Sequence, residues 1–205
     1  MKRRATRAAP PYALLSLLLD YPTGELDEAA AALALDGGDG LEQFWTWWRK
    51  TPLAERQRRY VETFDLDRRT SLHLTYYLHG DTRKRGLALL RLKRLYTAAG
   101  LPLDADELPD FLPVLLEFAA CAPDGYGETL LREHRIGIEL LRLRLQELDS
   151  PWAPLLERLS SGLPHLVALE RERVRRLLAE GPPEEQVGLE PFAPPEVMPV
   201  GGARR

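Results

Sequence analysis

Ser71-Leu-His-Leu-Thr-Tyr-Tyr-Leu-His-Gly-Asp-Thr-Arg-Lys-Arg-Gly86 is the densest stretch of the chain and decides how the rest is read. Gly80 can adopt a positive φ just past a helix end, and Asp81 is a good N-cap for the next helix. The pair therefore reads as a tight stop and start between two helices. Arg83, Lys84 and Arg85 then occupy the first turn of the new helix. There the helix dipole disfavours each positive charge by about 0.3–1 kcal/mol. Either neighbouring carboxylates offset that cost or the site meets an acidic partner.

The helix that follows, Thr82 to Ala99, is the most instructive. At about 100° per residue, Ala88, Leu89, Leu92, Leu95, Tyr96 and Ala99 share one broad face. Leu87 and Leu90 fall on the other side, between Arg91 and Arg94. A helix apolar on two sides is either sandwiched in a bundle or displays a groove for a guest. Gly100 and Pro102 end it. Upstream, Thr51-Pro52 reads as an N-cap followed by proline at the first position, and Leu53, Gln57, Tyr60, Val61 and Phe64 form one stripe. Leu72, Tyr76 and His79 lie along one face of the helix ending at Gly80. Downstream comes Asp106-Glu-Leu-Pro-Asp-Phe-Leu-Pro113, where Asp110 is placed to cap the next helix and Pro113 falls in its first turn. Phe111, Val114, Leu115 and Phe118 then face inward.

The same periodicity runs through the rest. Helices are expected over about 11–19, 25–35 and 41–50, the third carrying Phe44, Trp45, Trp47 and Trp48, with Asp36-Gly-Gly-Asp-Gly40 as a loop. A long helix from about Tyr126 to Leu148 would bury Leu130, His134, Gly137, Ile138, Leu141, Leu145 and Leu148, with Gly137 permitting a close helix approach. Two shorter helices follow, over about 152–159 and 164–180. No run of β-branched residues suggests a strand. The expectation is an all-α protein, a single-domain helical bundle of about nine or ten helices over residues 11–180. A basic tail, 1–10, precedes it. A Pro/Gly-rich tail, 181–205, follows and is expected to be disordered, since six of the 17 prolines lie beyond Gly181.

Composition removes several function classes. A net charge of −3 from 28 basic and 31 acidic residues does not describe a dedicated nucleic-acid binder. Cys121 is the single cysteine, so no intrachain disulfide is possible and a cysteine-based metal site is not expected; its alanine neighbours suggest burial. The N-terminal Lys-Arg-Arg and the Tyr12–Leu19 apolar run imitate a targeting signal, but the run stops at Asp20-Tyr-Pro22 and is too short to span a bilayer. A cytoplasmic protein is expected. The histidines lack metal-ligand spacing, and the common hydrolase, ATPase and dinucleotide signatures are missing, so no catalytic or metal residue is assigned. The polar residues of the central stretch, Glu62, Asp65, Asp67, Asp81, Arg83, Arg85, Glu107 and Asp110, admit three readings. They are caps and ion pairs closing the loops, the rim of a partner groove, or an anion site at the Asp81–Arg85 helix start.

Four ordered segments carry a resemblance: Tyr60-Val-Glu-Thr-Phe-Asp65, Ser71-Leu-His-Leu-Thr-Tyr-Tyr77, Gly80-Asp-Thr-Arg-Lys-Arg-Gly86 and Glu107-Leu-Pro-Asp-Phe-Leu-Pro113. In these the chain resembles the NarJ-type nitrate reductase molybdenum cofactor assembly chaperones, within the wider TorD-like group of molybdoenzyme maturation chaperones. The resemblance implies a TorD-like all-helical chaperone that is not an enzyme and is not part of the finished one. Its implied partner is the catalytic (alpha) subunit of a respiratory nitrate reductase, bound at its N-terminal segment. The chaperone would keep that apoenzyme competent for molybdenum cofactor (molybdopterin) insertion and delay its membrane docking. It would bind no cofactor stably and no nucleic acid and would not insert stably into a membrane, and molybdenum cofactor biosynthesis proteins are further implied partners. The shared polar positions carried over are Asp65, Asp81, Arg83, Arg85, Glu107 and Asp110. With Tyr60, Tyr76, Leu87 and Leu90 they make up the candidate peptide-binding set. Phe111 stands where the wider group often has a histidine, so that histidine's role does not carry over. The alternatives are a carrier that itself binds the molybdopterin cofactor at the helix start, and a chaperone for a related molybdoenzyme.

Overall fold

The computed structural model describes residues 12–34, 40–103, 107–123 and 125–183. The basic tail, the loop residues 36–39, Asp106 and the chain beyond Pro183 lie outside the described residues. Among those described, the chain forms α1 (Tyr12–Leu19), α2 (Gly24–Ala34), α3 (Glu42–Lys50), α4 (Leu53–Tyr60), α5 (Leu74–His79) and α6 (Arg83–Ala98). It continues with α7 (Leu112–Cys121), α8 (Tyr126–Glu133), α9 (Arg135–Glu147), α10 (Ala153–Gly162) and α11 (Ala168–Glu180). One isolated bridge joins His73 to Phe111, and there is no strand among the described residues. None of these helices is long and apolar enough to cross a membrane.

Helix α1 is apolar nearly all round, and such a helix must be covered on most sides. Leu14, Leu15, Leu18 and Leu19 are buried where α1 packs on α7, whose own buried residues include Leu112, Leu115, Leu116 and Phe118. Each leucine contributes about 1.5–3 kcal/mol by leaving water. The Ser16 hydroxyl, the polar interruption in α1, donates to the Pro113 carbonyl at 2.8 Å and fixes the register. On the other side, α9 buries Ile138, Leu140, Leu141 and Leu145 against α5, α10 and α11. Trp152 is fully buried in an aromatic cluster with Trp47, Phe64 and Tyr60 at centroid distances of 5.0, 5.3 and 5.9 Å. The expectation that the α3 aromatics cover more than one face holds: Phe44 and Trp48 are buried, Trp45 and Trp47 half-buried. A polar clamp ties α2 to α3 and α4. Arg56 grips Asp27 with two nitrogens at 2.5 and 2.6 Å, lies over the Trp48 ring at 4.2 Å, and Trp48 Nε1 donates to the same carboxylate at 2.9 Å.

Four local expectations are corrected. The long helix is interrupted at His134 (φ −97, ψ 10), which separates α8 from α9. The imidazole Nδ1 sits 2.9 Å from the Leu130 carbonyl, and burial pushes the ring's pKa down. Leu148, placed on the buried stripe, is 45% exposed because α9 ends at Glu147. Pro52, with ψ 150, is itself the N-cap of α4, and the Thr51 hydroxyl donates back to the Trp47 carbonyl at 2.8 Å. Cys121, on the last turn of α7, is exposed. Gly137 does serve a close approach: a Cβ there would lie 3.1 Å from the Leu74 carbonyl oxygen, where α5 crosses α9.

Candidate functional site

Three of the four motif segments meet at Asp110. Its side chain is fully buried, and it does not cap its own helix. Instead its Oδ2 accepts from the Thr75 amide at 3.3 Å and the Thr75 hydroxyl at 2.5 Å, satisfying an orphan N–H at the start of α5. Oδ1 lies 3.2 Å from His73 Nδ1, and Arg85 Nη2 is 3.6 Å from Oδ2. The backbones join as well, with Leu74 N–H donating to the Asp110 carbonyl and Leu112 N–H to the Leu72 carbonyl, at 3.0 and 2.9 Å. Tyr96 of α6 donates its hydroxyl to the Pro109 carbonyl at 2.7 Å and holds the segment from the other side. Burial alone would raise the Asp110 pKa. The hydrogen bonds from His73 and Thr75 and the Arg85 charge reverse that and hold it below the usual carboxylate range.

The chain of charges continues outward. Arg85 Nη1 reaches Asp81 Oδ1 at 3.2 Å, and Asp81 Oδ2 accepts from Arg68 at 3.2 Å. Asp81 is therefore not the N-cap of α6. Thr82 holds that position, and its hydroxyl turns back to the His79 carbonyl at 2.8 Å. For Arg85, carboxylates do offset the dipole cost.

The candidate peptide-binding residues fall into three groups, with Asp65 and Glu107 apart from them. Tyr60 and Asp110 are buried and offer no surface to a partner. The Tyr60 hydroxyl donates to the Leu19 carbonyl at 3.1 Å, and burial raises its pKa. Tyr76, Asp81 and Arg85 frame the α5–α6 turn, with the Arg85 guanidinium 6.0 Å from the Tyr76 ring centroid. Arg83, Leu87 and Leu90 lie on the exposed side of α6, the two leucines 69% and 46% exposed, so α6 is not sandwiched. Asp65 is exposed at the end of a single π-helical turn, Val61–Asp65, that prolongs α4. Glu107 belongs elsewhere again.

Glu107 lines a cleft of about 570 Å³ at the C-terminal end of α6, between α1 and α7. Its walls include Leu101, Leu103, Val114 and Phe118, and its rim carries Asp20, Glu107 and Glu117. Burial raises the Glu107 pKa first, and the negative charges of Asp20 and Glu117 raise it further, while His73 works against them. Asp20 is raised by burial against the pull of its bond from the Tyr21 amide. A carboxylate raised by burial and by two neighbouring negative charges, set on an apolar wall, favours a cation as guest. Asp20 and Glu117 are absent from the sequence-derived set. A local signal for Glu117 exists, since it is the one charged residue in α7. Asp20 sits at the end of an otherwise apolar run. Among the described residues no cluster of histidine, cysteine and carboxylate side chains suits a metal ion.

Residues 19–158 match the family described as nitrate reductase delta subunit, and the chain belongs to that family. It is 35% identical over 149 residues to the Escherichia coli K12 protein named probable nitrate reductase molybdenum cofactor assembly chaperone NarW, covering 71% of this chain and 64% of that one. To the Bacillus subtilis 168 protein named probable nitrate reductase molybdenum cofactor assembly chaperone NarJ it is 33% identical over 164 residues, covering 76% of this chain and 89% of that one. The match thus spans just under two thirds of the Escherichia coli relative's length. A crystal structure of an Archaeoglobus fulgidus protein, assigned as a redox enzyme maturation protein, superposes with a TM-score of 0.59 over 73% of this chain and 90% of that chain. At 24% identity it shares the fold, the all-α architecture expected from the motifs.

Proposed function

We propose that this protein is an assembly chaperone for a nitrate-reductase-type molybdoenzyme. It binds the N-terminal segment of the client's catalytic subunit and keeps the apoenzyme open for molybdenum cofactor insertion. It delays membrane docking and leaves before the enzyme is complete. The observation that supports this is the cleft between α1 and α7, whose apolar wall and three rim carboxylates suit an amphipathic segment bearing lysine or arginine. Each carboxylate that meets a guest ammonium or guanidinium in that partly dry setting contributes about 1.5–3 kcal/mol. The buried Asp110 network fixes the loop that presents Glu107, so Glu107 meets the client while the buried motif residues act by shaping the cleft. The cofactor-carrier reading has less support, because Arg85 at the α6 start is already committed to Asp81 and Asp110.

Calorimetric titration with a synthetic peptide of the client's N-terminal segment, beside titration with free molybdopterin, tests the reading. Peptide binding is expected, weakened at least tenfold in an Asp20→Asn, Glu107→Gln, Glu117→Gln variant that keeps its melting temperature. Unchanged peptide affinity in that variant, or tighter binding of molybdopterin than of peptide, would refute it.

A further inference from the structure

The root of the C-terminal tail is built into the fold. Beyond α11 the chain turns at Gly181 (φ 81) and runs onto the α5–α6 turn, where a Cβ on Gly80 would overlap the Pro183 carbonyl oxygen. Gly80 is thus required both for its φ of 55 and for this approach. Leu177, Leu178, Gly181 and Pro182 enclose, with Tyr77 and Arg144, a further cavity of about 300 Å³. The tail therefore leaves the described structure at the N-terminal end of α6.

Helix α6 presents an unusual face at that point. Across Arg83–Ala98 it carries six basic residues and no acidic one. Arg85 turns inward, while Arg83, Lys84, Arg91, Lys93 and Arg94 are exposed around Leu87 and Leu90. At about 100° per residue the two leucines sit inside the exposed arc, bracketed by cations. Such a face repels a basic amphipathic segment and suits an acidic one. The sequence beyond Pro183 is of that kind. Residues 184–200 hold Glu184, Glu185, Glu190 and Glu196 and no lysine or arginine, with Val187, Leu189, Phe192, Val197, Met198 and Val200 between them. Reach is no obstacle. Leu87 and Leu90 lie about 6 and 10 Å along the axis from Arg83, and each tail residue can span about 3.3 Å.

We propose that residues 184–200 dock in cis on the exposed basic and apolar face of α6. The tether holds the segment at an effective concentration on the order of millimolar, so a weak contact suffices to keep the face covered. The segment then shields the cationic strip from acidic partners, while the acidic cleft opens at the opposite end of the same helix.

The test uses the full chain, with Cys121→Ala to remove the native thiol and a nitroxide on Ala193→Cys beside Phe192. The readout is the leucine methyl spectrum. Strong paramagnetic broadening of Leu87 and Leu90 is expected, with most of the intensity recovered in an Arg91→Glu, Arg94→Glu variant. A second variant, Glu190→Lys with Glu196→Lys, alters only the tail and should recover intensity likewise. Mixing spin-labelled protein with unlabelled isotope-enriched protein should leave the enriched Leu87 and Leu90 sharp. Absence of broadening, broadening centred on the Leu101 and Leu103 cleft, broadening that survives both charge reversals, or an effect that crosses between molecules would each overturn the proposal.

Discussion

Replacing Asp110 by alanine should be among the most damaging single changes in this protein. The carboxylate is fully buried and serves the Thr75 amide, the Thr75 hydroxyl, His73 and Arg85. Alanine leaves all four facing a void. Arg85 keeps partial access to water, its side chain being 20% exposed, but the Thr75 groups are buried. Abandoning one side of a buried charged pair costs about 3–5 kcal/mol. At about 2–4 °C per kcal/mol for a domain of this size, the melting temperature falls by about 6–20 °C. Asparagine retains the shape and one acceptor, so Asp110→Asn should cost about 1–3 kcal/mol. Urea unfolding followed by tryptophan fluorescence measures both, and a cycle with Arg85→Ala should return a coupling of about 0.5–3 kcal/mol. The pH dependence has a definite sign. The folded-state pKa is held below its ordinary value of 3.8, so the stabilisation is fully present above that pH and is lost as pH falls through the lower folded value. Asp110→Asn should therefore flatten the acid limb of the stability profile below about pH 4. A cost below about 1 kcal/mol for Asp110→Ala, or strict additivity with Arg85→Ala, would refute the role assigned to this carboxylate.

Gly80→Ala should lower stability by at least the 1–2 kcal/mol of a left-handed non-glycine residue, because the Pro183 carbonyl must also move; calorimetric melting reads it. Gly127→Ala should cost about 1–3 kcal/mol, since the new Cβ would lie 2.5 Å from the Ala119 Cα where α8 meets α7. Gly86→Ala, inside α6 with nothing within 4 Å of the new Cβ, should instead stabilise by about 0.5–1 kcal/mol. Affinity for the client peptide should weaken as pH falls into the carboxylate range, the loss beginning at higher pH than the ordinary values of 4.5 and 3.8 would give, because burial raises the pKa of both Glu107 and Asp20. Calorimetry in two buffers of different ionisation enthalpy should show proton release on binding, and a pH-independent affinity would remove the carboxylates from recognition.

The helical fold was legible because glycine and proline punctuate a 3.6-residue periodicity, and because Leu112–Cys121 and Tyr12–Leu19 are too apolar to be anything but core. The interruption at His134 was not, since Leu130, His134, Gly137 and Ile138 stay on one buried stripe across it and a side-chain pattern does not record a change of backbone angle. Capping rules located the α5–α6 turn at Gly80 but misassigned the caps. Asp81 was claimed by Arg68 and Arg85, and Asp110 by the N-terminus of a different helix. The cleft was half legible. Glu107 belongs to a motif, whereas Asp20 lies 87 residues before it in the chain (107 − 20), and only packing of α1 on α7 brings the two to one rim.

The same packing sets an order of events during synthesis. The Asp110 bonds span 35 to 37 residues, but Ser16 reaches Pro113 across 97. Closing the longer loop costs about 0.9 kcal/mol more in chain entropy. More tellingly, Leu14, Leu15, Leu18 and Leu19 leave the ribosome with their partners in α7 not yet made. At about 5–20 residues per second, that leucine-rich turn waits about 5–20 s before its cover exists. For that interval the nascent chain carries an apolar helix with only α2, of its main packing partners, to cover it.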